Sequence, residues 1–179
     1  MKVALLIGHN SNKKGAYSEF LDNSEYMFYK KVVRELELRF CNTDFQSFEH
    51  DATIKGYTKR IKATAKRINK QDFDLVISLH FNSFDGTAHG CETLHYYKSK
   101  QGKAYANKFS RFINNELDIR FRGTKALTNK RDRGFAAVYY TNAPTILIEP
   151  FFGDNEEDCR NIVSAENFAR VLNKFIKTL

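Results

Sequence analysis

The chain has 179 residues, 42% hydrophobic and 14% aromatic, so it can bury the core of one compact domain, and global disorder is excluded. Its three cysteines are too few, and odd in number, for a disulfide framework, and no apolar run approaches the roughly 20 residues of a bilayer crossing. Lysine and arginine outnumber aspartate and glutamate 29 to 21, and the resulting +8 favours a polyanion: nucleic acid, anionic lipid or the polymers of a bacterial wall.

Composition is even from end to end, with two prolines and no Gly/Ser-rich linker or repeat, so residues 1–179 read as one domain. Val3 to Ile7 is a continuous apolar run, as in a strand buried on both faces. After the polar loop Asn10 to Ala16, a helix is expected from about Ser24 to Phe40. There Phe28, Val32, Leu36 and Phe40 recur every four residues, Ser24 can cap the start, and Glu25 falls in the first turn. A strand over Asp44 to Phe48 follows, then a helix with Tyr57, Ile61, Ala65 and Ile68 on one face. Phe73 to Leu79 and Cys91 to Tyr97 are the next strands, and Tyr105, Phe109, Phe112 and Ile113 mark another helix. Arg120 to Arg133 reads as a basic loop carrying Arg120, Arg122, Lys125, Lys130, Arg131 and Arg133, either solvated or forming a groove wall. Thr145 to Ile148 is the last buried strand, stopped at Glu149-Pro150 because proline cannot donate to a ladder. The closing helix has Phe168, Val171, Leu172, Phe175, Ile176 and Leu179 at helical spacing, with Ser164 as its cap. Alternating strands and helices of this kind make an α/β fold.

The three most apolar strands end at ionisable residues: His9, His80 and Glu149. Each alone reads as a loop histidine or a surface acid. In open α/β sheets, however, ligands collect beyond the carboxyl ends of parallel strands. If these strands are parallel neighbours, two imidazoles and a carboxylate converge, the ligand set of a catalytic zinc site with one open position. A metal hydrolase needs a second acid, since one carboxylate cannot both hold the ion and relay protons. Glu19, Glu25 and Glu92 are the candidates by position. Cys91 is expected as buried packing and Cys41 and Cys159 as structural or incidental, with His50 and His95 at surface or strand positions.

Four segments carry a family likeness: Gly8-His9-Asn10 with Gly15-Ala16 and Glu25; Ser78-Leu79-His80-Phe81-Asn82-Ser83; Gly90-Cys91-Glu92-Thr93; and Pro144 to Glu149 followed by Phe152. In this order they resemble the zinc-dependent N-acetylmuramoyl-L-alanine amidases of the Amidase_3 type, especially phage and prophage endolysin catalytic domains. The resemblance implies an α/β fold, a twisted mixed sheet of about six strands flanked by helices on both faces. It also implies Zn2+ held by His9, Glu25 and His80, with Glu149 as the catalytic acid/base. The substrate implied is peptidoglycan, cut between the lactyl group of N-acetylmuramic acid and L-alanine. Asn10, Asn82, His89 and Arg133 are the candidate substrate-binding residues. Pro150 departs from the family, which often has a small residue directly after its acid.

The expectation is therefore a single catalytic domain over residues 1–179 without a separate wall-binding domain, its charge standing in for one and a monomer taken as the default state. It would be synthesised in the cytoplasm without a signal peptide and act on the cell wall after release or export, with no nucleic acid partner and no stable membrane insertion. Two alternatives share features with this reading. Another zinc hydrolase of wall peptides would use the same site, and a nucleic-acid-binding module would use the basic charge. The aromatics, however, fall at core spacings rather than interleaving with Lys and Arg as stacking platforms do.

Overall fold

The computed structural model describes residues 1–40 and 42–179, so the expectation for Cys41 lies outside the described residues. In chain order the elements are β1 (Val3–Ile7), β2 (Tyr17–Ser18), β3 (Asn23–Ser24), α1 (Glu25–Arg39), β4 (Phe45–Phe48), α2 (Tyr57–Ile68), β5 (Leu75–Leu79), β6 (Cys91–Tyr96), α3 (Lys100–Leu117), β7 (Phe121–Leu127), α4 (Phe135–Tyr139), β8 (Thr145–Glu149), α5 (Glu156–Ile162) and α6 (Ala165–Lys177). Six strands form one sheet in the order β4-β1-β5-β8-β6-β7, and β2 and β3 form a separate hairpin. Strands β4, β1, β5 and β8 are mutually parallel, while β6 meets β8 antiparallel and β7 runs parallel to β6. The sheet is mixed, as expected.

The central strands are apolar on both faces because helices cover both. Leu5, Ile77 and Ile146 are register partners across β1, β5 and β8 and share a core with α1, α3 and α6. On the opposite face, Ala4, Leu6 and Val76 pack with Phe48, Ile68 and Phe73, while Leu94 and Leu147 pack with Ile61 and α4. Helix α1 begins where predicted: Ser24 is extended and its hydroxyl accepts the Met27 N–H. Ser164 caps α6 in the same way through Asn167.

Four aromatic rings form the part of the core beneath the strand ends. Phe28 on α1 lies 6.0 Å from Phe81, 5.5 Å from Phe151 and 6.1 Å from Phe168 (ring centroids), and all four are buried. Phe81 directly follows His80, and Phe151 stands two residues past Glu149. The cluster therefore pins the segments that leave β5 and β8.

Several expectations are corrected. The basic stretch Arg120 to Arg133 is not one loop, since Phe121–Leu127 is the edge strand β7. Its charged side chains concealed the strand in the sequence, yet charge on an exposed edge is how sheets discourage further pairing. Strand β5 starts at Leu75 rather than Phe73, β6 stops at Tyr96, and Glu149 is the last residue of β8 rather than lying beyond it. His95 does lie in β6, but His50 is a buried residue outside any strand, its Nδ1 2.8 Å from the Thr64 hydroxyl. Tyr57 is largely exposed although it shares a helix face with Ile61. The short helices α4 and α5 and the β2–β3 hairpin carry too little periodicity to be read from sequence.

Truncating the central ring of the aromatic cluster, Phe28→Ala, should destabilise the fold by about 3–5 kcal/mol. Denaturant unfolding checks this, and a loss under about 1 kcal/mol would show that the cluster is not the anchor described.

Candidate active site

Strand order brings the expected residues together. Because β1, β5 and β8 are adjacent and parallel, the residues at their carboxyl ends share one edge of the sheet. The Gly8 N–H donates to the Leu79 carbonyl and the His80 N–H to the Ile148 carbonyl, so the ladder continues into the site. His9 and His80 meet edge to face with ring centroids 5.1 Å apart.

Glu25 enters from the first turn of α1, behind the Ser24 cap. Its Oε2 lies 3.2 Å from His9 Nε2 and accepts the Ala16 N–H at 3.0 Å. Its Oε1 lies 3.3 Å from His80 Nδ1 and accepts the Phe81 N–H at 3.2 Å. Burial alone would raise this carboxyl's pKa, but the hydrogen bonds and charges of His80 and His9 hold it down at about 2. Of the three acids considered, Glu25 is the one between the imidazoles. Glu92 is instead the register partner of Glu149 across β6 and β8, and Glu19 is exposed near the hairpin.

The donor atoms of His9, Glu25 and His80 all lie within 4.8 Å of one another. The contacts of 3.2 and 3.3 Å from Glu25 to the two histidines resemble the roughly 3.3–3.4 Å between neighbouring donors on a tetrahedron with ~2.0–2.1 Å bonds. His9 Nδ1 faces the Lys13 carbonyl at 3.3 Å, which directs Nε2 inward, as the outer contact of a metal-binding histidine does. Tyr29 donates to the His80 carbonyl at 2.5 Å. Two glycines make room for this cluster. A Cβ on Gly8 would lie 1.9 Å from His80 Nε2, and one on Gly15, where φ is +80°, would lie 2.4 Å from Glu25 Oε2. The residues present can therefore hold a divalent metal ion.

Glu149 stands beside this cluster in a different environment. Asn82 Nδ2 donates to its Oε2 at 3.1 Å, and Asn82 is itself fixed by main-chain bonds to Phe151 and Gly153. Burial, then the charges of Glu92 and Glu25, push the Glu149 carboxyl up to about 7, while Lys125 and Arg133 oppose the rise. A carboxyl poised near neutrality can both accept and return a proton.

The remaining candidates separate. Arg133 is exposed but acts on Glu149 through its charge, so it borders the site. Asn10 is buried, and its Oδ1 accepts the Asn12 and Lys13 N–H groups, bracing the turn that His9 contacts. His89 lies at the approach to β6, where its carbonyl accepts from Arg122. Nearby, Asp158 Oδ2 accepts both the Gly90 and Phe152 N–H groups at 2.8 Å, tying the loop before β6 to the loop after β8. Cys91 and Cys159 are buried, and burial pushes their thiols up to about 12 and about 11, as expected of inert packing residues. Tyr29 and Asp158 escaped sequence reading. Tyr29 carried a signal, since it lies four residues from Glu25 on the same helical face.

Comparison with known proteins identifies the family and the fold. A cell wall amidase of Bacillus anthracis, itself described as uncharacterized, is 28% identical over 171 residues, covering 89% of this chain and 30% of the relative. The chain thus spans about a third of the length of that curated relative. The N-acetylmuramoyl-L-alanine amidase of Clostridium difficile 630 has a similar fold, with a TM-score of 0.78 at 22% identity, covering 99% of this chain and 95% of that one. The catalytic domain of the CD27L endolysin, which targets Clostridium difficile, gives a TM-score of 0.79 at 24% identity, covering 99% of this chain and 97% of that domain. The family described as N-acetylmuramoyl-L-alanine amidase, Amidase_3, matches residues 3–179, and the chain belongs to it.

Proposed function

We propose that this chain hydrolyses the amide between the lactyl group of N-acetylmuramic acid and L-alanine in peptidoglycan, with zinc held by His9, Glu25 and His80 and with Glu149 as acid/base. The observation that carries this reading is the pairing of the two-histidine, one-carboxylate cluster with a carboxyl near neutrality on adjacent strand ends. Family membership supplies the substrate.

Zinc, when bound, polarises a carbonyl and acidifies a water molecule. The chain's own residues supply the proton traffic and the positioning. Asn82 engages Oε2 of Glu149, which leaves Oε1 to take the proton from the attacking water. Glu149 then delivers that proton to the alanine nitrogen as the amide breaks. Glu25 stays ionised throughout because its partners keep it far below neutrality, so it serves as a ligand and not as a proton carrier. Arg133, exposed beside Glu149, is a substrate-facing residue, and Asn82 orients the acid. Asn10 supports the His9 loop, and His89 lines the approach from β6.

Glu149→Gln should lower release of new L-alanine N-termini from purified peptidoglycan by at least about 100-fold while metal content stays stoichiometric. Retained turnover would overturn the acid/base assignment, and N-termini other than alanine would indicate a wall peptidase instead. A chelator should abolish release and added zinc restore it, and His80→Ala protein should fall below one metal per chain by elemental analysis.

Glu149 also makes a prediction in the metal-stripped protein. Its folded value of about 7 lies above the ordinary 4.5, so the wild type loses stability as pH rises from about 4.5 to about 7. Glu149→Gln lacks this penalty. Its melting temperature should match the wild type near pH 4 and exceed it above pH 7, and equal melting at pH 8 would refute the burial argument.

A further inference from the structure

Helix α2 begins at the sheet edge that carries the site, and its first turn is unusual in three respects. Its N-cap is Gly56, with φ of 91° and no capping side chain, and no acidic residue occupies the first turn. The first N–H groups of a 12-residue helix are thus left with the positive end of its dipole uncompensated. In that turn stands Arg60, only 8% exposed. Among the described residues its guanidinium has no hydrogen bond and no ion pair, and its Nε is buried without a partner.

A largely buried arginine with no acid beside it is rare unless something anionic completes it. The neighbours place this charge next to the site. Thr64, one turn along α2, bonds the buried His50, and the Arg60 charge and those of His80 and His9 all act on His50. Arg60 also acts on Tyr57, which bonds the Gly134 N–H and feels Arg133, the residue that acts on Glu149. Because β4 runs parallel to β1, α2 starts at the same sheet edge as His9, and Arg60 lies in its first turn, one turn before the Thr64 that meets His50.

We propose that Arg60 and the uncapped N-terminus of α2 form a carboxylate-binding subsite that receives an acidic group of the stem peptide while the scissile amide sits at Glu149. A guanidinium binds a carboxylate in a planar fork, and the helix N-terminus adds main-chain N–H donors. This rests on the peptidoglycan amidase reading above and adds to it a determinant of substrate choice: stems with free carboxylates over stems whose acids are amidated.

The test uses the full chain with zinc on peptidoglycan stripped of teichoic acid, either untreated or amidated with carbodiimide and ammonia. Teichoic phosphate is then absent from both arms. Wild type should release L-alanine N-termini from the amidated wall with an apparent KM raised about ten- to a hundredfold, at nearly unchanged kcat. Arg60→Gln should show the same rise on untreated wall and no further rise on amidated wall. Arg60→Lys should recover part of the preference, and Arg60→Gln should melt no lower than wild type, since it removes an unpaired buried charge. Equal cleavage of the two walls by wild type, additive losses, or a fall in kcat and melting temperature without a change in preference would overturn the subsite. Failure of wild type to release L-alanine from untreated wall would overturn the amidase reading, and the subsite with it.

Discussion

The burial of one ionised carboxylate, Glu25, is the constraint on which the rest of the site depends. Taking a carboxylate out of water carries a penalty of several kcal/mol unless its lone pairs are met. Here each oxygen meets one imidazole and one main-chain N–H, from His9 and Ala16 on one side and His80 and Phe81 on the other. Those four groups come from four places in the chain: the turn after β1, the hairpin approach, the end of β5 and the residue beyond it. They coincide only if β1 and β5 are parallel neighbours and α1 starts where Ser24 caps it. Gly8 and Gly15 follow from the same crowding, because a Cβ at either would occupy space that His80 or Glu25 already fills.

Two carboxyls on one sheet edge thereby acquire opposite properties. Glu25, bonded by two histidines, sits at about 2, whereas Glu149, buried and also facing Glu92 across the antiparallel β6–β8 pair, sits at about 7. The reversal of strand direction at β8 adds to this contrast. It sets the start of β6 beside the end of β8, so Glu92 and Glu149 become register partners rather than lying at opposite ends of the sheet. Environment, not residue type, thus suits one carboxyl to hold a cation and the other to exchange a proton near neutrality.

Much of this was legible because the informative residues are those whose context is simple. Runs such as Val3–Ile7 and Leu75–Leu79 are buried on both faces, so their apolarity is continuous and their ends are sharp. The ionisable residues at those ends stand out against it. The spacing alone left Glu19, Glu25 and Glu92 equivalent, because hydropathy says nothing of how a helix start is aimed across a loop; the family likeness was needed to single out Glu25. Strand β7 was hidden because an edge strand is only half buried and carries Arg122 and Lys125, which a hydropathy pattern counts as loop. His50 and Arg60 were illegible for another reason. Polar residues are assigned to the surface by default, and only tertiary packing reveals that these two are buried.

The distribution of charge around the site is more informative than the net +8. The centre is acidic, with Glu92 and Glu25 both close enough to act on Glu149, while Lys125 and Arg133 act on Glu149 with the opposite sign. Neither cation is engaged in an ion pair among the described residues. Such a distribution leaves the acidic centre able to bind a metal ion while presenting positive potential to whatever approaches. A substrate suited to this arrangement would carry a neutral scissile bond flanked by anionic groups, as the proposed stem peptide with free carboxylates would.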